Sequence, residues 1–463
     1  MNKRIVLVSL SVAAVLTTFA AELKVDWTNE LGPVKPVNGV GQPPMIGAPA
    51  EFPLMHYLKD AGIPYSRLHD VGGWFGGNLY VDIPNLFPNF DADENDPANY
   101  LFDATDALMK ALRANQIEPI FRLGVTIENF AGWDMGFKPR RIYPPKDYAK
   151  WARICEHVIR HYTEGWAHGM KMKITYWEIW NEPENHYIIK KNPMWRAPFE
   201  EYMKFYGAVA PYLKSKFPHL KFGGYGSCGF EAPFTKRGDM DKVSWKQINH
   251  FVTCASNFLA SAKKENWPLD FFSFHSYSGV GQALKEVEFA DRLLTDHGFP
   301  REKCLRVFDE WLPNPKLMYS GTAGQAALVA AEMIGLQNGP CDIACIYDAR
   351  CKVSAYTPLF NALTRKPYKA YQAFMAFKAL RDCGTAVATK VKGSQKLYVA
   401  AAKGEKGAAV MIANTTGDGV ATTYDFQGRK VVEVRLTDTQ HTNEVVPLPE
   451  KIPAKSILLV VLD

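Results

Sequence analysis

Short apolar runs alternate with longer amphipathic stretches between about residues 36 and 380. Eight of the short runs read as strands: 37–40, 65–69, 119–124, 175–180, 221–225, 271–277, 305–310 and 343–347. Each is bounded by glycine, proline or polar residues. Helical spacing predicts helices over 104–114, 147–163, 199–216, 245–265, 284–297 and 323–338, with 367–380 as a closing helix. In the second of these, Trp151, Ile154, Cys155, Val158, Ile159 and Tyr162 share one face. Strands alternating with helices imply a parallel sheet, because each parallel pair needs a crossover and a helix supplies it.

Eight such units fit an α/β fold of the (β/α)8 TIM-barrel type with enlarged loops. The rival is a doubly wound open sheet, whose usual mark is a glycine fingerprint. Gly224, Gly226 and Gly229 do match G-x-G-x-x-G after a strand, but Pro233 follows and no helix opens there. The segment is therefore read as a glycine-rich loop and not as a nucleotide site. After residue 380 the pattern changes to strand-like runs at 396–402, 407–413, 421–426, 430–436, 443–448 and 456–462, with turn residues such as Gly417, Asp418 and Gly419. This predicts a C-terminal all-β sandwich, to which residues 22–36 add a strand or two.

The first residues read as an export signal. Lys3 and Arg4 precede an apolar stretch from Ile5 to Val15, and Phe19, Ala20 and Ala21 close it. An uncleaved anchor is the alternative. The expected organisation is a signal peptide at 1–21, a segment at 22–36 joining the sandwich, a catalytic barrel at 37–380 and the sandwich at 381–463, in a secreted or periplasmic protein. No later stretch reaches the ~18 apolar residues of a membrane span.

Composition narrows the classes. The chain has 463 residues, 47% hydrophobic and 22% charged, which excludes wholesale disorder. Its formal charge is +6, two units of it from Lys3 and Arg4, too little for the concentrated basic face of a nucleic-acid binder. Lys138, Arg140 and Arg141 form one local basic run, whose ordinary reading is a solvated loop and which would favour an acidic ligand if it overhangs a binding site. Export permits disulfides among the eight cysteines, but Cys304 and Cys345 sit in apolar runs that suit buried free thiols. Cys341, Cys345 and Cys351 match no standard zinc spacing.

In a barrel, chemistry collects at the C-terminal ends of the strands. Along the sixth strand Phe272 and Phe274 share one face, and Ser273, His275 and Tyr277 the other. Arg67 and His69 share a face on the second. Glu182 closes the fourth strand just before Pro183, and Glu310 closes the seventh, so the two carboxylates meet across the mouth. Glu178 lies ~13 Å lower at ~3.3 Å per residue and reads as interior packing. Asp309 has the opposite parity from Glu310 and is expected to face the helices. Glu184 is off the strand.

Two opposed carboxylates suit glycosidic chemistry. A gap of about 5–5.5 Å allows direct attack and retention, and one of about 6.5–9.5 Å admits a water and gives inversion. Arg67, His275 and Tyr277 are the donors available to hold one carboxylate ionised. Trp74, Trp133, Trp195 and Trp311 fall in predicted mouth loops, where flat rings suit sugars. His69 and His275 lack the spacing of common zinc sites, and the scheme calls for no metal and no cofactor. No G-x-S-x-G elbow is present.

The segments Trp177-Glu-Ile-Trp-Asn181-Glu182-Pro183 and Phe308-Asp-Glu310-Trp311 resemble the clan of retaining glycoside hydrolases built on (β/α)8 barrels. Within it the chain is most similar to glycoside hydrolase family 39, the β-xylosidase and α-L-iduronidase family. Arg67-x-His69, the Ser273-Phe-His275-Ser-Tyr277 segment and the C-terminal sandwich add to the resemblance. It implies Glu182 as general acid/base and Glu310 as nucleophile. It implies Asn181 on the sugar 2-hydroxyl, Tyr277 and Arg67 on the nucleophile, and His275 in the subsite of the non-reducing sugar. His69, Trp180 and Trp311 complete the expected substrate-binding set, and an oligo- or polysaccharide is the expected partner.

Two segments depart from the family pattern. Glu310-Trp-Leu-Pro-Asn-Pro315 is typical of neither subgroup, and the eighth strand ends Ile346-Tyr-Asp-Ala-Arg350 without the tryptophan that many clan members stack on a sugar. The glycone is thus open among β-xyloside, β-galactoside, arabinoside-type and iduronide-like sugars. A non-catalytic glycan-binding barrel is the alternative of a different class.

Overall fold

The computed structural model describes residues 20–46, 51–71, 80–128, 141–405 and 407–463. The first strand, β1 (Ala21–Pro33), belongs to a sheet outside the barrel. The next eight close a parallel barrel in chain order: β2 (Gly39–Gly41), β3 (Tyr65–Leu68), β4 (Glu118–Leu123), β5 (Tyr176–Ile179), β6 (Lys221–Ser227), β7 (Phe271–Ser276), β8 (Leu305–Trp311) and β9 (Ile343–Tyr347). Pairing of β2 with β9, Gly39 opposite Cys345, completes the ring. These are the eight runs read from the sequence, with their ends shifted by at most two residues.

Helices cover the barrel: α1 (Met55–Asp60), α2 (Ile83–Leu86), α3 (Asp103–Ala114), α4 (Tyr148–Thr163) and α5 (Phe199–Lys216), then α6 (Lys242–Lys264), α7 (Val280–Asp296), α8 (Ala323–Asn338) and α9 (Tyr371–Cys383). Local chemistry starts several of them. Asp147 caps α4 by accepting from Lys150 N, Asp241 caps α6 by accepting from Val243 N and Ser244 N, and the Thr322 hydroxyl caps α8 by accepting from Gln325 N. The apolar face of α4 is buried at Trp151, Ile154, Cys155, Val158, Ile159 and Tyr162. Inside the barrel, Ile120, Phe271, Val307, Ile343 and Cys345 form a small apolar layer. Arg67, Glu178, Ser273 and Asp309, also buried, add a polar one.

The remaining strands are β10 (Thr385–Lys392), β11 (Leu397–Gly404), β12 (Gly407–Asn414), β13 (Val420–Asp425), β14 (Val431–Thr437), β15 (Glu444–Val445), β16 (Lys451–Ile452) and β17 (Ser456–Leu462). With β1 they make a nine-stranded sheet in the order β15-β14-β17-β12-β11-β10-β1-β13-β16. Its edge strands β15 and β16 are joined only by residues 446–450, so the sheet must curl until its ends approach each other. One face carries a separate core that includes Leu23, Val25, Val410, Val434, Ile452 and Val460. The other face, with Ala400, Ala409, Met411 and Leu459, joins the barrel's core. The segment expected to join this module is one long strand inserted between β10 and β13.

The eight cysteines are all free, and Cys304 and Cys345 are buried. Among the described residues no helix is long and apolar enough to cross a membrane. Residues 1–19 of the expected signal lie outside the described residues.

Candidate active site

The fourth barrel strand ends in backbone that aims a carboxylate inward. After β5, Trp180 (φ 73°) and Glu182 (φ 46°) both take the left-handed conformation that is uncommon for non-glycine residues. Glu182 N then donates to the carbonyls of Tyr225 and Gly226 at 3.0 and 3.1 Å. The turn sends Trp180 the other way. Its ring is buried, edge-on to Trp195 at 5.0 Å, with Trp151 and Phe205 around it. Trp180 and Trp195 are packing residues here and do not line the pocket.

The seventh strand corrects a second expectation. Phe274 pairs with Phe308, but His275 pairs with Glu310, so Asp309 is the extra residue of a β-bulge. The bulge breaks the two-residue alternation and brings both acids inside. Asp309, expected against the helices, lies with its Oδ2 2.8 Å from Arg67 Nε and its Oδ1 3.4 Å from His275 Nε2. Trp311, one residue on, is fully buried and is not part of the pocket wall.

Arg67 organises the centre. Its Nε donates to Glu178 Oε2 at 2.7 Å, Nη1 to Glu310 Oε1 at 2.7 Å and Nη2 to Asn181 Oδ1 at 2.5 Å. Ser273 donates to the other oxygen of Glu178 at 2.6 Å. Tyr277 donates to Glu310 Oε2 at 2.6 Å, and Asn185 Nδ2 donates to Glu182 Oε2 at 2.6 Å. His275 Nδ1 is 2.8 Å from Glu182 Oε1 and 3.7 Å from Glu310 Oε2. One carboxylate oxygen from each of Glu182 and Glu310, with a ring nitrogen of His275, lie within 4.8 Å of one another. His69 Nε2 is 3.9 Å from Glu310 Oε1. The structure thus brings together Arg67, His69, Asn181, Glu182, His275, Tyr277 and Glu310, and leaves Trp180 and Trp311 outside.

The glycine-rich segment has a use at this centre. Gly226 (φ 61°) lies where a Cβ would come within 2.7 Å of Asn181 Oδ1 and 3.0 Å of both Arg67 Nη2 and His275 Nε2. The absent side chain is the space that these three groups occupy.

Burial and charge set the protons. Burial works against charge on His275, but Glu310, Asp309 and Glu182 outweigh it and hold the imidazole well above its usual range, as an imidazolium. Burial also pushes Glu310 up, against the pull of His275 and Arg67. Partial burial works against charge on Glu182, but its bond to His275 outweighs that and holds it below the usual carboxyl range. Burial raises Glu178 to about 8, against the pull of Arg67. His69 is held neutral by burial and by the nearby Arg122 and Arg67.

The pocket above this centre has a volume of about 420 Å3. Of the expected residues, His69, Asn181, Glu182, Tyr277 and Glu310 line it, while Arg67 and His275 lie buried behind them; the wall also includes Asp70, Asn185, Tyr347, Arg350, Lys352 and Tyr356. Sequence reasoning missed these six. Two signals were present: Asp70 and Asn185 lie just beyond His69 and Glu182, and Arg350 and Lys352 follow the eighth strand. Tyr356 stands edge-on to Tyr277 at 5.1 Å. Burial, with the charge of Glu310, raises Asp70 to about 7. Glu184 is buried outside the pocket and accepts from Ser227 Oγ and Cys228 N. Arg141, from the basic run, has its Nη1 3.8 Å from the buried carboxylate of Asp82. Lys138, Arg140, Trp74 and Trp133 lie outside the described residues.

A beta-xylosidase of Geobacillus stearothermophilus is 26% identical over 218 residues, which is 46% of this chain and 38% of that protein. The match therefore spans well under half of that relative's length. Among solved structures, a glucosidase from Croceicoccus marinus superposes with a TM-score of 0.76 at 17% identity, over 96% of this chain and 99% of the other. A family 39 beta-xylosidase from Caulobacter crescentus superposes with a TM-score of 0.65 at 16% identity, over 96% and 99%. The sequence profile of the glycosyl hydrolases family 39 matches residues 58–313, more than half of the chain and a stretch that includes both Glu182 and Glu310, and the chain belongs to that family.

Proposed function

We propose that the chain is an exported glycoside hydrolase that cleaves a β-xyloside-like bond in an oligo- or polysaccharide with net retention. The observation that carries this reading is the short gap between Glu182 and Glu310 together with their unequal partners. Carboxylate oxygens that approach within 4.8 Å support the close spacing of a retaining pair, about 5–5.5 Å, over the gap of about 6.5–9.5 Å that seats a water against the sugar in an inverting one.

Glu310 is the nucleophile. Arg67 and Tyr277 each donate to one of its oxygens, which favours the anion and aims it. Glu182 is the acid/base. The proton it delivers comes from the His275–Glu182 hydrogen bond, along which imidazolium plus carboxylate converts to imidazole plus carboxylic acid. Protonation of the leaving oxygen accompanies attack of Glu310 on the anomeric carbon. The resulting ester removes the charge of Glu310, the largest charge that holds the proton on His275. Glu182, ionised after delivering its proton, then takes one from the water that hydrolyses the ester. Asn181, fixed by Arg67, donates from its amide nitrogen to the 2-hydroxyl.

The likeness to a beta-xylosidase supports the choice of glycone, and the basic start, apolar core and small residues of 1–21 support export. A panel of aryl glycosides followed by NMR of the first-formed sugar tests the reading. The expected result is fastest release from a β-xyloside with retained configuration. An inverted first product overturns the two-step scheme, a faster α-arabinoside or β-galactoside overturns the glycone, and binding without cleavage overturns the enzyme.

A further inference from the structure

The pocket contains a third carboxyl that the two-carboxylate scheme does not use. Asp70 follows β3 with φ 53°, a left-handed turn that places its side chain in the same wall as Glu310. The group is fixed by other elements. Ile127 N donates to Oδ1 at 3.1 Å, and the Tyr347 hydroxyl donates to Oδ2 at 2.9 Å. Tyr347 is itself held by a bond from Gln42 Nε2 at 2.9 Å. His69 Nε2 lies 3.1 Å from Oδ1, between Asp70 and Glu310. A carboxylate has about four acceptor positions, so the contacts made by the described residues leave capacity on Oδ2, and Asp70 lines the cavity. The nearby Arg350 is engaged by Asp348, through Nε at 2.9 Å and Nη2 at 2.5 Å.

Such a group is built to accept one more hydrogen bond without moving. Its backbone turn, its two donors and the tyrosine behind it fix both oxygens before any ligand enters, which is what makes a polar contact selective. We propose that Asp70 accepts a hydrogen bond from one ring hydroxyl of the glycone, so that the pocket selects a sugar with that hydroxyl free over its deoxy and O-sulfated counterparts. This rests on the hydrolase reading above. The deoxy sugar leaves a buried acceptor unfilled, and the sulfate brings a second negative charge against it.

The test is steady-state kinetics of the full chain, Asp70→Asn and Asp70→Ala on the aryl glycoside that the wild type cleaves fastest and on each of its monodeoxy derivatives. In the wild type one derivative loses about 10- to 100-fold in kcat/KM through Asp70. In Asp70→Ala that derivative is cleaved as fast as its parent, while the ratios for the other positions stay as in the wild type. Asp70→Asn has nearly the same shape and decides the matter if the alanine variant does not fold, with its ratio reduced at the same single position. Equal losses on every substrate, in either folded variant, would make Asp70 a purely structural residue and overturn the proposal. Failure of the wild type to cleave any glycoside would overturn the hydrolase reading first, and this inference with it.

Discussion

His275 Nδ1 lies 2.8 Å from Oε1 of Glu182, with the histidine fully buried and the carboxylate open to the pocket. A charged imidazole bonded to an ionised carboxylate is one proton held between two bases. Removing His275 takes away that proton and leaves Glu182 to find its own.

His275→Ala is therefore expected to impair acid catalysis more than nucleophilic attack. Glycosides with poor leaving groups should lose about 10²-fold or more in kcat/KM, while an activated dinitrophenyl glycoside loses much less. A plot of log(kcat/KM) against leaving-group pKa measures this, and it should steepen in the variant. Parallel plots for the two proteins would show that His275 only packs the site.

Glu182 and Glu310 should fail in different ways. Glu310→Gly removes the attacking atom, and turnover should fall to background on every substrate. Glu182→Ala should lose about 10²–10⁴-fold on an aryl glycoside with a good leaving group, with azide restoring turnover. The glycosyl azide formed should keep the configuration of the substrate, because azide intercepts the ester on Glu310 from the face Glu182 once guarded. An azide product of opposite configuration would reverse the two roles.

Much of this arrangement was legible in the sequence, and the failures have local causes. The eight strands and the inward face of Arg67, His275 and Tyr277 follow from a two-residue period that holds along β3 and most of β7. The same period misplaced Asp309, because a bulge lets two successive side chains face inward and leaves no mark in composition. Trp311 adjoins Glu310, and neighbours on a strand point to opposite sides, so it packs outward; Trp180 shares the parity of Glu182, and only the left-handed turn after β5 sends it the other way. The pocket residues Arg350, Lys352 and Tyr356 come from a long loop without periodicity, where nothing in the chain fixes direction.

Glu184 gives a prediction about stability and pH. Burial raises it to about 8, well above an exposed glutamate. Between about pH 4.5 and pH 8 the unfolded chain carries this group ionised and the folded chain keeps it protonated, so folding binds a proton and stability falls as pH rises. The contribution is fully present below the unfolded value and gone above about pH 8. Glu184→Gln keeps an oxygen for Ser227 and Cys228 but cannot ionise. Thermal melts from pH 5 to 9 (with about 1.4 kcal/mol per pH unit as the ceiling for one proton) should fall less steeply for the variant. Identical slopes would mean that Glu184 is ionised in the folded protein.

Gly226 ties the backbone of β6 to the polar centre. A methyl group there would meet Asn181 Oδ1 at 2.7 Å, and Arg67 Nη2 and His275 Nε2 at 3.0 Å, at a φ of 61°. None of these groups is free to yield, since Asn181 is bonded to Arg67 and His275 to Glu182. Gly226→Ala should cost about 1–2 kcal/mol for the left-handed backbone and about 1–3 kcal/mol for overpacking. The larger effect should be on kcat, because the groups displaced are those that hold the nucleophile and the acid, and shifts well under 1 Å disturb reacting geometry. Melting temperature and kcat measured together separate the two. A variant that melts several degrees lower yet turns over at the wild-type rate would show that the glycine serves the strand alone and that the centre adjusts around it.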